Sequence, residues 1–109
     1  MGPYSIIERD VKVGSGTSVG NFTTIMPGTT IGENCQIFHN CTIGEIPQDL
    51  KYAGEKTFVQ IGDNVTIRES VTINKGTAAH GTTEIRSNVL LMGYVHVAHD
   101  CIIGNNVIF

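Results

Sequence analysis

Aliphatic residues return along this chain at every sixth position. From Met1 the series runs Ile7, Val13, Val19, Ile25, Ile31, Ile37 and Ile43. After a polar interruption it resumes in phase at Ile61, Ile67 and Ile73, and after a second at Ile85, Leu91, Val97, Ile103 and Phe109. Two residues before each beat stands a second small or β-branched position, held for example by Val11, Thr17, Thr23, Thr29, Val65, Val71, Val89 and Val107. A helix repeats every 3.6 residues and a plain strand every two, so a period of six fits neither alone. It fits a short strand with two inward side chains followed by a tight corner, the hexapeptide unit of a parallel β-helix.

The intervening positions agree. Three residues after the beat come Asp10, Gly16, Gly28, Asn34, Asn40, Asn64, Gly76, Asn88, Asp100 and Asn106, all types that tolerate positive φ at a sharp corner. Glycine also follows the beat directly at Gly2, Gly14, Gly20, Gly32, Gly44, Gly62 and Gly104. Three such strands close a triangular coil of eighteen residues, and coils stack about 4.8 Å apart. A β-sandwich would space its strands less regularly. The expected fold is all-β: one domain over residues 1–109 with five to six coils and excursions at about 45–56 and 78–83.

Composition narrows the function classes. A formal net charge of −3 argues against a nucleic-acid grip, which needs a clustered basic face. The aliphatic runs are too short to span a bilayer, so no transmembrane segment is expected. Met1-Gly2-Pro3-Tyr4 lacks the basic and apolar regions of a secretory signal, which points to the cytoplasm. Cys35, Cys41 and Cys101 all fall in the inward small slot at spacings that match no zinc pattern. They read as packed small hydrophobes, and no metal site is expected.

Candidate chemistry lies where the beat fails or the outward slots change. The segment from Glu45 to Glu55 carries Pro47 and Gly54 and must leave the coil. Asp49 and Lys51 there offer an acceptor and a donor for a polar ligand, or form a solvated charge pair; spacing alone leaves both open. His39 and His80 read as surface and loop residues. The last slot of the hexad, polar at Lys12, Ser18, Thr24 and Thr30, becomes Leu90, His96, Ile102 and Ile108. Leu90 and Ile108, eighteen apart, are expected on one face one coil apart, as part of an apolar partner surface. In His96-Val97-Ala98-His99-Asp100 the inward Val97 leaves both histidines facing out. His99 suits a general base and Asp100 its orienting carboxylate, although Asp100 also stands in a corner slot that backbone geometry alone would fill.

Three stretches carry a resemblance: Gly44 to Glu55 with its Gln48-Asp49-Leu50-Lys51-Tyr52-Ala53-Gly54-Glu55 loop, Ile67 to Ile73, and His96 to Cys101. They closely resemble the UDP-N-acetylglucosamine O-acyltransferases of lipid A biosynthesis. The resemblance implies a left-handed parallel β-helix, an exception to right-handed crossovers, assembled as a homotrimer with active sites between subunits. It implies transfer of a 3-hydroxyacyl group from acyl carrier protein to the 3-hydroxyl of UDP-N-acetylglucosamine. It makes His99 the base, Asp100 its partner, and Gln48, Asp49, Lys51 and His96 substrate contacts. No cofactor is bound by the chain itself; phosphopantetheine arrives on the carrier protein. Where relatives often read His-Arg-Gly, this chain has Asn74-Lys75-Gly76. The chain covers less than half the family's length and is expected to be a fragment whose aliphatic end strand favours self-association beyond a trimer. The alternatives are the later N-acyltransferase of the same pathway, another hexapeptide transferase, or a non-catalytic assembly module.

Overall fold

The structure, a computed structural model, describes residues 5–45, 57–77, 81–98 and 100–109. Its strands make three parallel faces. The first stacks β1 (Ile6–Ile7), β4 (Thr24–Ile25), β7 (Thr42–Glu45), β10 (Thr72–Asn74) and β13 (His96–Val97). The second stacks β2 (Lys12–Val13), β5 (Thr29–Ile31), β8 (Phe58–Ile61), β11 (Thr82–Ile85) and β14 (Ile102–Ile103). The third stacks β3 (Ser18–Val19), β6 (Gln36–Ile37), β9 (Thr66–Ile67) and β12 (Leu90–Leu91). Successive strands fall on successive faces, so the chain winds around a triangular prism.

The register shows how the interruptions are absorbed. Uninterrupted coils pair beat to beat eighteen residues apart, as in Ile7↔Ile25 and Val13↔Ile31. Across the first interruption the partners are thirty apart on every face: Ile43↔Ile73, Ile31↔Ile61 and Ile37↔Ile67. Across the second they are twenty-four apart: Ile73↔Val97, Ile61↔Ile85 and Ile67↔Leu91. Leu90 bridges Ile108 in parallel, as the eighteen-residue spacing requires.

The core is the stack of inward beats, with Ile25, Ile43, Ile67, Ile73, Leu91 and Val97 buried. Each such side chain contributes roughly 1.5–3 kcal/mol when removed from water. The second inward slot also carries hydrogen bonds. Thr17 Oγ1 donates to the Gly32 carbonyl (2.8 Å) and accepts from the Cys35 amide (3.1 Å). Thr23 Oγ1 repeats this with Phe38 and Cys41 (2.8 and 3.3 Å). The Cys35 and Cys41 thiols occupy the same slot and donate to the carbonyls of Gly62 and Arg68 (3.2 and 3.1 Å). Burial pushes both thiols above their ordinary pKa. They are packed core groups, as expected. Among the described residues no helix is long and apolar enough to cross a membrane.

Corners take the left-handed conformation at Asp10, Gly16, Gly28, Asn34, Asn40, Asn64, Asn88, Asp100 and Asn106. Gly76 departs from the expected pattern. It has no positive φ, and a Cβ there would lie 2.4 Å from the Thr82 amide, so close backbone approach is what demands glycine. Gly44 is left-handed instead, at φ +90°. The second excursion also ends earlier than the anticipated 78–83. Thr82 and Thr83 already pair with Phe58 and Val59, because β8 starts early enough to offer their backbone groups partners.

Candidate functional site

The three edges of the prism are unequal. The edge joining the second face to the third turns at Gly16, Asn34, Asn64, Asn88 and Asn106 without interruption. The edge joining the first face to the second passes through Asp10 and Gly28, is next bounded by Glu45 and Thr57 and then by Thr77 and Gly81, and finally passes through Asp100. Both departures from the repeat are thus bounded by residues of one edge, and Asp100 lies on the next coil of that edge. His96 stands beside it, on the first face.

His96 sits on β13 with its side chain exposed. Its Nδ1 and the Thr72 hydroxyl share a 2.7 Å hydrogen bond, across the register pair Thr72↔His96. That fixes the ring and directs Nε2 to other partners. Asp100 holds its corner at φ +60°, so the backbone reading of this slot is correct. Its carboxylate has a further role. Oδ1 accepts from the Thr77 amide (2.8 Å) and Oδ2 from the Thr77 hydroxyl. The Asp100 amide donates to Thr83 Oγ1 (2.9 Å). Thr77 and Thr83 flank the second excursion, so Asp100 clamps the base of that segment to the coil above it. Of the other sequence candidates, His99, Gln48, Asp49 and Lys51 lie outside the described residues.

Sequence reasoning singled out neither Thr72 nor Thr77 as a functional residue. Thr72 was legible in principle, because it shares the outward slot of His96 one coil below. Thr77 was not, since it precedes an interruption whose return point the repeat does not fix. His39 proves structural, its Nδ1 accepting from the Asn21 amide (2.9 Å). Arg68 and Glu69 pair with each other at 3.0 Å, on the edge joining the third face to the first. The Glu69 carboxyl lies below its usual pKa because its own backbone amide and the Arg68 side chain donate to it.

Unsatisfied polarity gathers at the loop edge. Among the described residues, the buried side-chain polar atoms without a hydrogen-bond partner are Thr29 Oγ1, Thr57 Oγ1 and Asn74 Nδ2. Thr29 occupies the slot in which Thr17 and Thr23 reach a carbonyl on the coil above. The counterpart of Gly32 and Phe38 for Thr29 is Gly44, which is left-handed at φ +90° where Gly32 and Phe38 are not, so the regular carbonyl bond is not formed. Thr57 also lines a cavity of about 330 Å³ together with Asp10, Lys12, Pro27, Gly28, Thr30, Phe58 and Lys75. Backbone bonds tie the two departures together: the Lys75 amide donates to the Glu45 carbonyl (2.9 Å) and the Phe58 amide to the Gly81 carbonyl (3.0 Å).

Comparison with known proteins follows this geometry. The family described as bacterial transferase hexapeptide (six repeats) matches residues 10–44 and 82–109. An acyl-[acyl-carrier-protein]–UDP-N-acetylglucosamine O-acyltransferase of Thermodesulfovibrio yellowstonii is 53% identical over 109 residues, covering 99% of this chain and 42% of the relative. One from Psychromonas ingrahamii is 50% identical over 104 residues, covering 94% of this chain and 33% of the relative. Among solved structures, LpxA from Acinetobacter baumannii superposes with a TM-score of 0.97 at 44% identity, over 99% of this chain and 42% of that one. The UDP-N-acetylglucosamine acyltransferase of Campylobacter jejuni gives 0.92 at 42% identity, over 98% and 42%. The chain therefore spans roughly two fifths or less of the length of these proteins. The all-β parallel β-helix expected from the repeat holds, and so does the left-handed coil that the resemblance implies.

Proposed function

The chain belongs to the bacterial hexapeptide transferase family, and on that premise we propose that it forms the loop-bearing coils of a UDP-N-acetylglucosamine O-acyltransferase. The enzyme moves a 3-hydroxyacyl group from the phosphopantetheine thioester of acyl carrier protein to the 3-hydroxyl of the nucleotide sugar, opening lipid A biosynthesis. The observation that carries this reading is the convergence of both interruptions and Asp100 on one edge, with His96 beside it on the first face, in a chain about half identical to enzymes of that name.

In this reaction His99 takes the proton of the sugar hydroxyl as its oxygen attacks the thioester carbonyl. The tetrahedral intermediate collapses by breaking the carbon–sulfur bond, and the imidazolium returns the proton to the departing thiolate. Asp100 orients His99 and stabilises its charged form. The Thr77 donors support this role by fixing the carboxylate from below. Gln48, Asp49 and Lys51 hold the nucleotide sugar and acyl group, and His96, steadied by Thr72, adds a further contact. The working unit is a cytoplasmic homotrimer with sites between subunits.

The test uses the parent enzyme carrying these coils, with UDP-N-acetylglucosamine and 3-hydroxyacyl carrier protein. His99→Ala is expected to lower turnover by about two to four orders of magnitude, with circular dichroism unchanged. Near-normal turnover would remove His99 as the base. Acylation of a sugar amine in place of the hydroxyl would favour the N-acyltransferase, and no product from the intact parent would favour an assembly module.

A further inference from the structure

Asn74 ends β10, one position beyond Ile73, whose register partner is Val97. It therefore lies one coil below the stretch that leads into residue 99 and Asp100. Its other strand neighbour is Glu45, where the register shifts as the first interruption begins. Asn74 thus occupies the angle between both interruptions and the base-bearing coil. Its side chain is buried, at 3% exposure, and its Nδ2 has no hydrogen-bond partner. A buried amide donor that receives nothing in return for its lost hydration destabilises the unliganded protein. The position does not demand an amide for backbone reasons. The corresponding slots one and two coils below hold Gly44 and Met26, and Asn74 is not among the left-handed residues.

We infer that Asn74 is a substrate-positioning residue whose Nδ2–H donates to an uncharged oxygen, a hydroxyl or an amide carbonyl, of the acceptor sugar. The inference rests on the acyl-transfer reading above and deepens it. A neutral donor suits a neutral acceptor, because a desolvated phosphate would call for a cation. Bound sugar supplies the partner that the fold withholds, so the unfavourable burial is relieved only in the complex.

Asn74→Leu in the parent enzyme separates this role from a structural one. It keeps the approximate volume and removes the orphaned donor. The unliganded variant is expected to melt no lower than wild type, while KM for UDP-N-acetylglucosamine rises about tenfold, the worth of one lost hydrogen bond. The rise in melting temperature on adding the nucleotide sugar should shrink in parallel. Asn74→His, which restores an N–H donor, should recover most of the affinity. An unchanged KM for Asn74→Leu overturns the proposal. So does a raised KM in a variant whose unliganded form melts lower, the signature of a lost structural bond. A wild-type parent that does not turn over this substrate instead overturns the acyl-transfer reading itself.

Discussion

Two edges of the same prism are built from the same hexads and end in opposite states. On the asparagine edge every coil repeats its bonds. The amides of Asn34, Asn64, Asn88 and Asn106 donate to Ser15, Glu33, Asp63 and Ser87 on the coil below. Side chains extend the ladder, with the Glu33 amide bonded to Asp63 Oδ1 (2.8 Å), the Asp63 amide to Ser87 Oγ (3.0 Å) and the Ser87 amide to Asn105 Oδ1 (3.0 Å). On the loop edge the ladder is broken twice, and the partnerless buried atoms of the described residues collect there. A satisfied edge uses its backbone donors within the stack. On the reading proposed above, chemistry collects where the repeat forgoes its own bonds, at a cost of about 1–3 kcal/mol for each buried group left unpaired.

The comparison is sharpest at glycine. A Cβ on Gly32 would sit 2.6 Å from the Gly62 carbonyl oxygen, inside the asparagine edge. Gly32→Ala should destabilise the protein by about 3 kcal/mol, read as a lower denaturation midpoint. An unchanged midpoint would break the claim that stacking across this edge makes glycine obligatory at this slot.

A smaller effect is expected on the loop edge. Thr77→Val removes the hydroxyl that clamps Asp100 but keeps the backbone donor. Turnover in the parent should fall about tenfold at similar KM, because one charge-assisted bond orienting the carboxylate is lost. A pure KM effect would show that Thr77 contacts substrate and does not act through Asp100.

The smallest effect is on pH dependence. Burial raises the Cys35 and Cys41 thiols above their ordinary value of 9.0, so the unfolded chain releases these protons first as pH rises. Their contribution to stability is complete below pH 9.0 and is lost progressively above it, toward the raised folded values. A urea midpoint that declines above pH 9.0, with a shallower decline in the Cys35→Val/Cys41→Val double variant, checks this. Valine is suitable because Val65 and Val71 fill the same slot one coil above.

The regular part of this molecule was legible because one physical cause sets each position. Inward beats must be apolar, and Ile25 through Val97 are. Most corners must be left-handed, and Asn34, Asn64 and Asn88 announce it. Legibility fails where residue type stops tracking conformation. Phe22, Ser70 and Tyr94 are left-handed at φ 57°, 60° and 65°, and nothing in those side chains signals it. The stacked coils impose the turn, and the residues accept it. His96 and Asp100 were singled out from spacing and resemblance. The Thr77–Asp100 clamp was not, because it joins residues across an interruption whose path the repeat leaves free.

The pairing offsets of eighteen, twenty-four and thirty residues have a consequence for how such a protein changes over generations. The scaffold is indifferent to how much chain lies between two anchored ends. Doubling the length of a closed loop adds only about 0.6 kcal/mol of entropy. The loop edge therefore behaves as a socket: segments are lengthened, trimmed or exchanged there while the coils are inherited unaltered, provided the chain re-enters at Thr57 or Gly81. Divergence in what the site accepts should show among relatives as insertions and deletions confined to two points of the repeat, with the hexad phase intact on either side.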